Sequence, residues 1–282
     1  MARTRPWELS DEAWERAAAL LPLPKVRMKG GRPPEDDRRM LAAILYVLRT
    51  GIQWNALPRE IGASTTVYDR FRWWLEDGVF LRLWQAGLAE FDELEGLDWS
   101  WLSMDGAMTK APFGGARVPP GRGPNPTDRG KKGTKRSQLS EGHGLPIAVA
   151  VAGANRPDMR LVAETLDGIV VERPEPTEEE PQGLCLDAGS DYQAVRDDVA
   201  ARGYTAHMRP RREDRANAGS PDPARKPRRW VVERRHSWLN RSRRLLVRWE
   251  KRTDTYDAFL HLACALLCFR HCHRLLATAV SE

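Results

Sequence analysis

The period of the hydrophobic residues changes near residue 97, and this change limits the possible folds more than any other feature of the sequence. Before residue 97, apolar residues recur at helical spacing, whereas after it short apolar runs of strand length alternate with helical segments. This order is typical of an all-α unit joined to an α/β unit. The 282 residues of the chain are enough for both. We therefore predict a helical domain over residues 1–95 and a mixed α/β domain over residues 96–282.

The N-terminal segment has the pattern of a helix-turn-helix motif. Ser10 and Ser64 precede apolar runs of helical period, and we expect each to cap a helix. The last helix of the motif would present Arg70 and Arg72 to DNA. An ordinary three-helix bundle gives the same pattern, so both interpretations stay open at this point. The helices predicted in this segment lie within residues 1–24 and over 36–50, 54–61, 64–78 and 79–96.

Three acidic residues of the second segment are candidates for a metal site. The predicted strands over residues 97–104 and 183–186 end at Asp105 and Asp187, and Glu233 lies in a predicted helix. A single Asp after a strand is most often a turn former, and a single Glu among arginines is most often an ion-pair partner. Together the three indicate a two-metal site for phosphoryl transfer, because divalent cations bind carboxylate oxygens. The remaining predicted elements are strands over 134–140, 145–152 and 204–208 and helices over 158–166, 191–202, 228–252 and 254–276.

Positive charge is concentrated in one part of the chain. Residues 207–252 contain 16 Lys and Arg against 5 Asp and Glu, whereas the rest of the chain carries a net negative charge. Such a concentration is typical of a protein that faces a polyanion, since merely solubilising surfaces tend to mix signs. A loop over 110–136 is also basic and glycine-rich, whereas a loop over 172–181 is acidic and predicted to be a solvated insertion. The candidate DNA contacts in these basic regions are Arg129, Lys131, Lys132, Lys135, Arg136, Arg229, Arg241, Arg243 and Arg244.

Several classes of protein are disfavoured by the sequence. It contains no apolar run of about 18 residues, so we expect no membrane span, and its N-terminus lacks the apolar core of a secretion signal. Four cysteines are too few for a disulfide scaffold of this length, which favours a reducing cytoplasm. Cys264, Cys268 and Cys272 lie along one helix face over about 12 Å, too far apart to share one zinc ion, and we expect them in the core.

Eight motifs together give the chain a resemblance that covers nearly its whole length. The motifs are W-x6-W (Trp7 and Trp14), GRPPEDDRR (31–39), ILYVLRTGIQWNALP (44–58), MDGAMTK (104–110), DRGKKGTKRS (128–137), GLPIAVAVAGANRPD (144–158), LDAGSDY (186–192) and RWVVERRHSWLNRSRRL (229–245). Each motif alone is weakly specific, whereas the set is highly specific. With this set, the chain resembles the DDE-class transposases of bacterial insertion sequences, in the branch called insertion-sequence family five.

The resemblance implies a ribonuclease-H-like catalytic core, with a mixed sheet flanked by helices. It also implies that Asp105, Asp187 and Glu233 are the catalytic and metal-binding residues, holding two Mg²⁺ ions that Mn²⁺ can replace. Asp191 is an alternative second acid, but Asp187 is preferred because it directly follows the apolar strand. The family signature Tyr-x2-Arg-x3-Glu-x6-Lys is met in part, at Arg229 and Glu233.

The same resemblance implies a transposase that binds the terminal inverted repeats of its element. It would cleave the element ends by metal-dependent hydrolysis and join the 3′-OH to target DNA by transesterification. We expect it to act as a homodimer on double-stranded DNA, in the bacterial cytoplasm at the nucleoid. Two alternatives from other classes stay open: a nuclease of the same fold without strand transfer, and a non-catalytic DNA-binding regulator.

Overall fold

The computed structural model describes residues 9–23, 33–112, 121–208 and 239–279. Helices form most of the first hundred residues, and within the described residues no helix is long and apolar enough to cross a membrane. The helices are α1 (Asp11–Ala18), α2 (Asp37–Thr50), α3 (Ser64–Asp77), α4 (Val79–Leu94), α5 (Val162–Asp167), α6 (Gln193–Ala201), α7 (Arg243–Leu246) and α8 (Thr253–Ala279). Short 3₁₀ turns lie at Trp54–Ala56, Asp158–Arg160 and Ala188–Ser190.

The ends of the first helices follow from local backbone chemistry. The Ser10 hydroxyl accepts a hydrogen bond from the Ala13 amide at 3.2 Å, which confirms the predicted cap of α1. Helices α2 and α3 end at Gly51 and Gly78, whose φ values of 73° and 82° lie in the left-handed region that glycine adopts without strain. The predicted cap at Ser64 is wrong: Ala63 is the capping position, Ser64 is the first helical residue, and no side chain caps α3.

A six-stranded mixed sheet forms the second half of the structure. Its strands are β1 (Trp101–Lys110), β2 (Gly123–Pro124), β3 (Lys132–Ser140), β4 (Pro146–Gly153), β5 (Gln182–Leu186) and β6 (Tyr204–Met208). In the centre, β1 pairs antiparallel with β3 on one side and parallel with β5 on the other. Strand β6 continues the sheet parallel to β5, and β4 and β2 pair antiparallel with β3. This arrangement confirms the expected mixed α/β class.

The helical and α/β segments share one hydrophobic core. Helix α4 packs along α8, and Gly87 permits the close approach, because a β-carbon there would lie 2.9 Å from Cβ of Cys268. Trp84 is fully buried and donates from its indole nitrogen to the Pro146 carbonyl of β4 at 2.9 Å. Burying the faces of α4 and α8 against each other removes water from both, which is the main stabilising term of such packing. The predicted division between residues 95 and 96 stays a prediction.

The bounds of β1 differ from the sequence prediction, and the difference changes the position of Asp105 within the strand. Strand β1 begins four residues later than predicted and continues to Lys110, so Asp105 lies inside the strand and not at its end. The reason is its antiparallel partner, because pairing with β3 continues from Ser103 through Thr109, which lies opposite Thr134. Strand β2, within the predicted basic loop, was missed because two residues are too few for a period to be visible.

The helix predicted over 228–252 is wrong after Leu246. Helix α7 ends at Leu246, after which Val247 forms a parallel bridge to Lys110 and the Arg248 amide donates to the Lys110 carbonyl at 2.8 Å. The fully buried Arg248 guanidinium donates to the Gly121 carbonyl at 2.9 Å and to the Thr134 hydroxyl at 3.2 Å. These long-range bonds favour extended backbone over local helical propensity.

Candidate active site

Strand register places Asp105 and Asp187 beside each other. The parallel pairing of β1 and β5 runs from Trp101 opposite Gly183 to Ser103 opposite Cys185. Continued by two residues, the same register puts Asp105 next to Asp187, whose ψ of 153° keeps its backbone extended. Neighbouring strands lie about 4.8 Å apart, and residues in register project to the same face of the sheet. Both carboxylates therefore lie on one face of two adjacent strands.

Each of the two carboxylates is held by the backbone amide that follows it. An oxygen of Asp105 accepts from the Gly106 amide at 2.8 Å, and an oxygen of Asp187 accepts from the Ala188 amide at 2.7 Å. Both side chains are half-buried. Backbone bonds of this kind restrict the side-chain rotamer, which suits a ligand of a hard divalent cation.

Asp191, the alternative second acid, is occupied by a different interaction. Its carboxylate forms an ion pair with Arg196 of α6, with nitrogen–oxygen distances of 2.6 and 2.8 Å. The pair fastens the turn after β5 to the helix that follows it. A carboxylate neutralised in this way is a poorer metal ligand than Asp187, so the geometry favours Asp187.

The third predicted acid, Glu233, lies outside the described residues, as does Arg229. Within the part of the chain that the structure describes, no group of three His, Cys, Asp or Glu side chains could hold a metal ion. The described part of the site nevertheless fits such an ion, because the strand register places a carboxylate on β1 next to a carboxylate directly after β5. The roles of Asp105, Asp187 and Glu233 therefore remain predictions that the described geometry supports.

Asp158 lies next to this site, although its sequence position did not mark it as a candidate. One of its oxygens is 2.6 Å from the position that a β-carbon on Gly106 would occupy, so Gly106 leaves the space that the carboxylate fills. The same oxygen pairs with the Lys135 ammonium at 3.0 Å. The motif GLPIAVAVAGANRPD ends at Asp158, which was the available signal, but its proximity to Gly106 depends on the fold.

Three of the predicted DNA-binding residues lie on one surface turn. Arg129 and Lys131 are exposed in the turn that leads into β3, and the half-buried Lys132 is the first residue of β3. The carbonyl of Asn125 accepts from the Gly130 amide at 3.0 Å, and its side-chain oxygen accepts from the Thr127 amide at 3.0 Å. These bonds give the turn a defined shape with its cations on the surface.

Five other predicted contacts do not have the exposure that we expected. Lys135, Arg136 and Arg244 are buried, because β3 and one side of α7 pack inside the protein. Arg70 forms an ion pair with Asp37 and lies over the rings of Trp73 and Trp74. Arg72 pairs with Glu76 at 2.9 Å and has a side chain only 20% exposed. These five side chains are buried or paired within the protein, and they are therefore not among the DNA contacts that we propose.

Arg241 and Arg243 are exposed, and Arg241 belongs to a cluster of like charges. Burial, followed by the charges of Arg270 and Arg241, lowers the pKa of Arg49 to about 10. Burial, followed by Arg241 and Arg274, also lowers the pKa of Arg270. The Nε atom of Arg49 is buried without a hydrogen-bond partner. A group of cations that disfavour one another is stabilised by a bound anion, so this surface suits phosphate.

The cysteines of α8 lie in the core, as expected. Cys264, Cys268 and Cys272 are fully buried. Burial raises the pKa of Cys272 to about 11, so its thiol stays protonated at neutral pH and is a poor metal ligand. Burial also lowers the pKa of the neighbouring His261 to about 4, which keeps its imidazole neutral. The cysteines of α8 therefore pack in the core and do not form a metal site.

Comparison with known proteins shows matches along most of the chain. The family described as transposases of the IS4/5 family matches residues 9–84, and the transposase DDE domain family matches residues 100–268. A Burkholderia cepacia protein named as a transposase for insertion sequence element IS402 is 34% identical over 158 residues, which are 55% of this chain and 72% of that protein. An uncharacterized 16.2 kDa protein of insertion element IS402 is 35% identical over 114 residues, or 39% of this chain and 78% of that one.

Solved structures of transposases are also similar to this chain, at low identity. The piggyBac transposase synaptic complex with hairpin DNA has a TM-score of 0.47 at 10% identity, covering 97% of this chain and 74% of that chain. The Mos1 mariner paired-end complex with Mn has a TM-score of 0.28 at 11% identity, covering 90% and 82%.

The DDE domain family covers more than half of the chain, from before β1 into α8, and includes both aspartates of the candidate site. The relative from insertion sequence IS402 exceeds 30% identity and is covered over more than two thirds of its length. The chain therefore belongs to the DDE transposases of insertion sequences.

Proposed function

We propose that this transposase binds the terminal inverted repeats of its insertion sequence, cleaves the element ends by hydrolysis and joins the freed 3′-OH to target DNA by transesterification. The observation that carries the proposal is the register of β1 and β5, which when continued by two residues puts Asp105 on β1 next to Asp187, directly after β5. Transposases of this class use divalent metal ions. We propose Mg²⁺ as the ion, with Mn²⁺ as a substitute, because carboxylate oxygens are the ligands that both prefer.

The acids of the site would hold the divalent ions at fixed positions. Asp105 and Asp187 would hold the ions from one face of the sheet, and Glu233 would complete the set. When bound, a pair of divalent ions activates an attacking oxygen and stabilises the leaving 3′ oxygen. The backbone bonds from Gly106 and Ala188 fix the two carboxylates before the substrate arrives, so little reorganisation is needed during the reaction.

The exposed basic residues have the separate role of holding the DNA backbone. Arg129, Lys131 and Lys132 would contact phosphates from the turn before β3, and Arg241 and Arg243 from the region of α7. Such contacts position a duplex without reading its sequence. Cutting and joining two element ends would require two copies of the active site, so we propose a homodimer assembled on DNA, at the nucleoid.

A strand-transfer assay tests this function against its closest alternative. Duplexes carrying a pre-cut 3′-OH element end are incubated with the protein, Mg²⁺ and a supercoiled target plasmid. We expect covalent joining of the end to the plasmid, which opens the circle. Cleavage of uncut ends without any joining of pre-cut ends would identify a nuclease, and binding without either reaction would identify a DNA-binding regulator.

A further inference from the structure

Arg136 is a buried cation on the face of the sheet that carries the candidate acids. Antiparallel pairing of β1 with β3 puts Asp105 opposite Gln138, and Arg136 lies two residues from Gln138 along β3. Side chains two residues apart on a strand project to the same face, so Asp105 and Arg136 are diagonal neighbours on that face. The Cβ atoms of such neighbours lie about 7 Å apart. Arg136 is only 2% exposed, so water screens its charge poorly.

The positive charge of Arg136 has no acidic partner among the residues that the structure describes. Its Nη2 atom donates a hydrogen bond to the side-chain oxygen of Asn240 at 3.1 Å, and this acceptor is a neutral amide. Its Nε and Nη1 atoms are buried and have no hydrogen-bond partner in the described part of the chain. The guanidinium is therefore held in place by Asn240 but is not neutralised by it.

Other buried cations of the same region are neutralised. Lys135 precedes Arg136 and points to the opposite face of β3, where its ammonium pairs with Asp158 at 3.0 Å. Arg244 is buried as well, and it pairs with Glu250. Pairing of this kind is expected, because an isolated charge is costly to remove from water. An unpaired buried group such as Arg136 therefore calls for a functional explanation.

Helix α8 also lies close to Arg136 and provides no counter-ion at this point. Burial raises the pKa of the Cys264 thiol of α8, and the positive charge of Arg136 opposes this rise. A fully buried thiol with a raised pKa is uncharged at neutral pH. The negative charges on the Arg136 face that the structure identifies are thus the carboxylates of the candidate metal site.

A buried positive charge beside two carboxylates has a predictable effect on divalent ions. It repels a cation that binds to the carboxylates, and the repulsion is stronger inside a protein than in water. We propose that the unpaired charge of Arg136 lowers the affinity of the Asp105 and Asp187 site for divalent ions in the DNA-free protein. Arg136 acts on the reaction through the two acids, as a positioning residue, and does not itself contact DNA.

Bound DNA has the opposite effect on the same site. A phosphate near the acids carries a negative charge, which offsets the repulsion between Arg136 and the ions. Ion binding and DNA binding therefore strengthen each other, since coupling between two ligands is reciprocal. The acids then take up ions chiefly when the substrate is present. The inference rests on the proposed binding of divalent ions by Asp105 and Asp187.

Replacing Arg136 with a neutral side chain of similar length separates charge from packing. Arg136→Met removes an unpaired buried charge, so we expect stability in urea to be unchanged or higher. Arg136→Lys keeps the charge. Asn240→Ala keeps the charge and removes the hydrogen bond. An arginine with a purely structural role would instead lose stability in Arg136→Met, and its loss would not strengthen ion binding.

Titration of the DNA-free protein with Mn²⁺ tests the inference without any catalysis. The electron paramagnetic resonance signal of free Mn²⁺ measures binding, and subtraction of the Asp187→Asn titration isolates the candidate site. We expect Arg136→Met to bind Mn²⁺ about tenfold more tightly than the wild type, because the nearest positive charge is gone. Arg136→Lys and Asn240→Ala should have wild-type affinity. If Arg136→Met is unfolded, Arg136→Gln carries the titration.

An element-end duplex tests the coupling with DNA. We expect the duplex to raise the Mn²⁺ affinity of the wild-type site, after subtraction of the same titration of Asp187→Asn with DNA. An affinity that DNA leaves unchanged would contradict the coupling.

The outcomes separate this inference from the proposed function. Unchanged or weaker Mn²⁺ binding by a folded Arg136→Met, with binding still dependent on Asp187, would overturn the inference alone. Weaker binding by Asn240→Ala would assign Arg136 a structural role. Mn²⁺ binding that does not depend on Asp187 would overturn both the inference and the proposed metal site. Because these titrations measure neither cleavage nor joining, failure of the proposed transposase reaction would be recognised independently.

Discussion

At the scale of the residue, the chemistry of the site depends on the charge of a carboxylate at a fixed place. Asp187 and Asp191 belong to one short motif and are four positions apart, yet they have different surroundings. Asp187 follows β5 directly and lies in register with Asp105, whereas Asp191 pairs with Arg196. An asparagine keeps the shape of the aspartate and removes the charge that binds a divalent ion. Asparagine variants therefore separate the two roles.

We predict that Asp187→Asn abolishes DNA cleavage in Mg²⁺ and leaves DNA affinity nearly unchanged. The matched variant Asp191→Asn should retain cleavage, with a modest loss of stability from the broken pair with Arg196. Cleavage of end-labelled duplexes and gel-shift titrations measure both quantities. Full activity of Asp187→Asn together with an inactive Asp191→Asn would move the catalytic role to Asp191.

Local sequence motifs point to some residues of this region, whereas the surroundings of others depend on contacts between distant parts of the chain. Asp105 and Asp187 could be proposed as candidates from the sequence, because each follows an apolar strand-like run and belongs to a recognisable motif. The burial of Arg136 was not predictable, because a charged residue of a predicted strand is usually exposed, whereas this one lies inside the sheet. Asp158 was missed because its contact with Gly106 joins positions far apart in sequence.

At the scale of the element, the segment around α7 contains both a buried arginine that stabilises the fold and exposed arginines on the surface. Arg244 is buried, forms an ion pair with Glu250 and donates to the Ile52 carbonyl at 2.7 Å. Removing it would leave a buried carboxylate unpaired, which is costly for stability. Arg241 and Arg243 are exposed on the same segment. These two can therefore test contact with DNA without disturbing the fold.

We predict that replacing Arg241 and Arg243 together with Ala lowers the slope of log K against log salt by up to about 2 units, because each neutralised phosphate contributes about 0.9. The affinity for element-end DNA and for random DNA should fall equally. The matched control replaces Arg82 and Arg202, whose charges are already paired with Asp77 and with Asp167 and Asp198. Binding isotherms at several salt concentrations measure the slopes. A wild-type slope in the Arg241 and Arg243 variant would contradict contact between this segment and DNA.

The start of α8 gives a prediction about stability and pH. Burial raises the pKa of Asp257 from 3.8 to about 7, opposed by Arg248 and assisted by Asp254. The folded state thus holds this proton more tightly than the unfolded state. Stability from this group is fully present below about pH 4 and is lost as the pH rises through about 7, at about 1.4 kcal/mol for each pH unit between the two pKa values.

We therefore predict that Asp257→Asn, which cannot ionise, becomes more stable relative to the wild type as the pH rises from 5 to 8. The gain should be a few kcal/mol at most, by the same conversion. Urea denaturation of both proteins at the two pH values measures it, and comparing the two proteins cancels the titration of groups that they share. A stability difference that is the same at pH 5 and pH 8 would contradict the raised pKa.

The elements that were predicted correctly are those in which the spacing of the apolar residues alone indicates a helix or a strand. Helices α2, α4 and α8 and strands β4 to β6 lie close to their predicted bounds, because each buries one face or one continuous run of apolar residues. The predicted helix over 228–252 failed after Leu246, where buried bonds from Arg248 to Gly121 and Thr134 determine the backbone. Such bonds join distant parts of the chain, so they produce no periodic pattern in the local sequence.

At the scale of the whole molecule, the helices and the sheet of the described residues share one hydrophobic core. Helix α4 packs on α8, and α8 in turn supports the face of the sheet through β4. A rigid body of this kind suits an enzyme that has to hold metal ligands from different strands in fixed geometry. Our central claim is that β1 and β5 bring Asp105 and Asp187 together to hold divalent ions.

A crystal structure with Mn²⁺, in which anomalous scattering locates the ions, tests this claim most directly. We predict an ion in contact with the carboxylates of both Asp105 and Asp187, with Glu233 as a further ligand and all three carboxyl groups within about 8 Å of one another. Ions bound only elsewhere, or carboxylates of Asp105 and Asp187 more than about 12 Å apart, would contradict it.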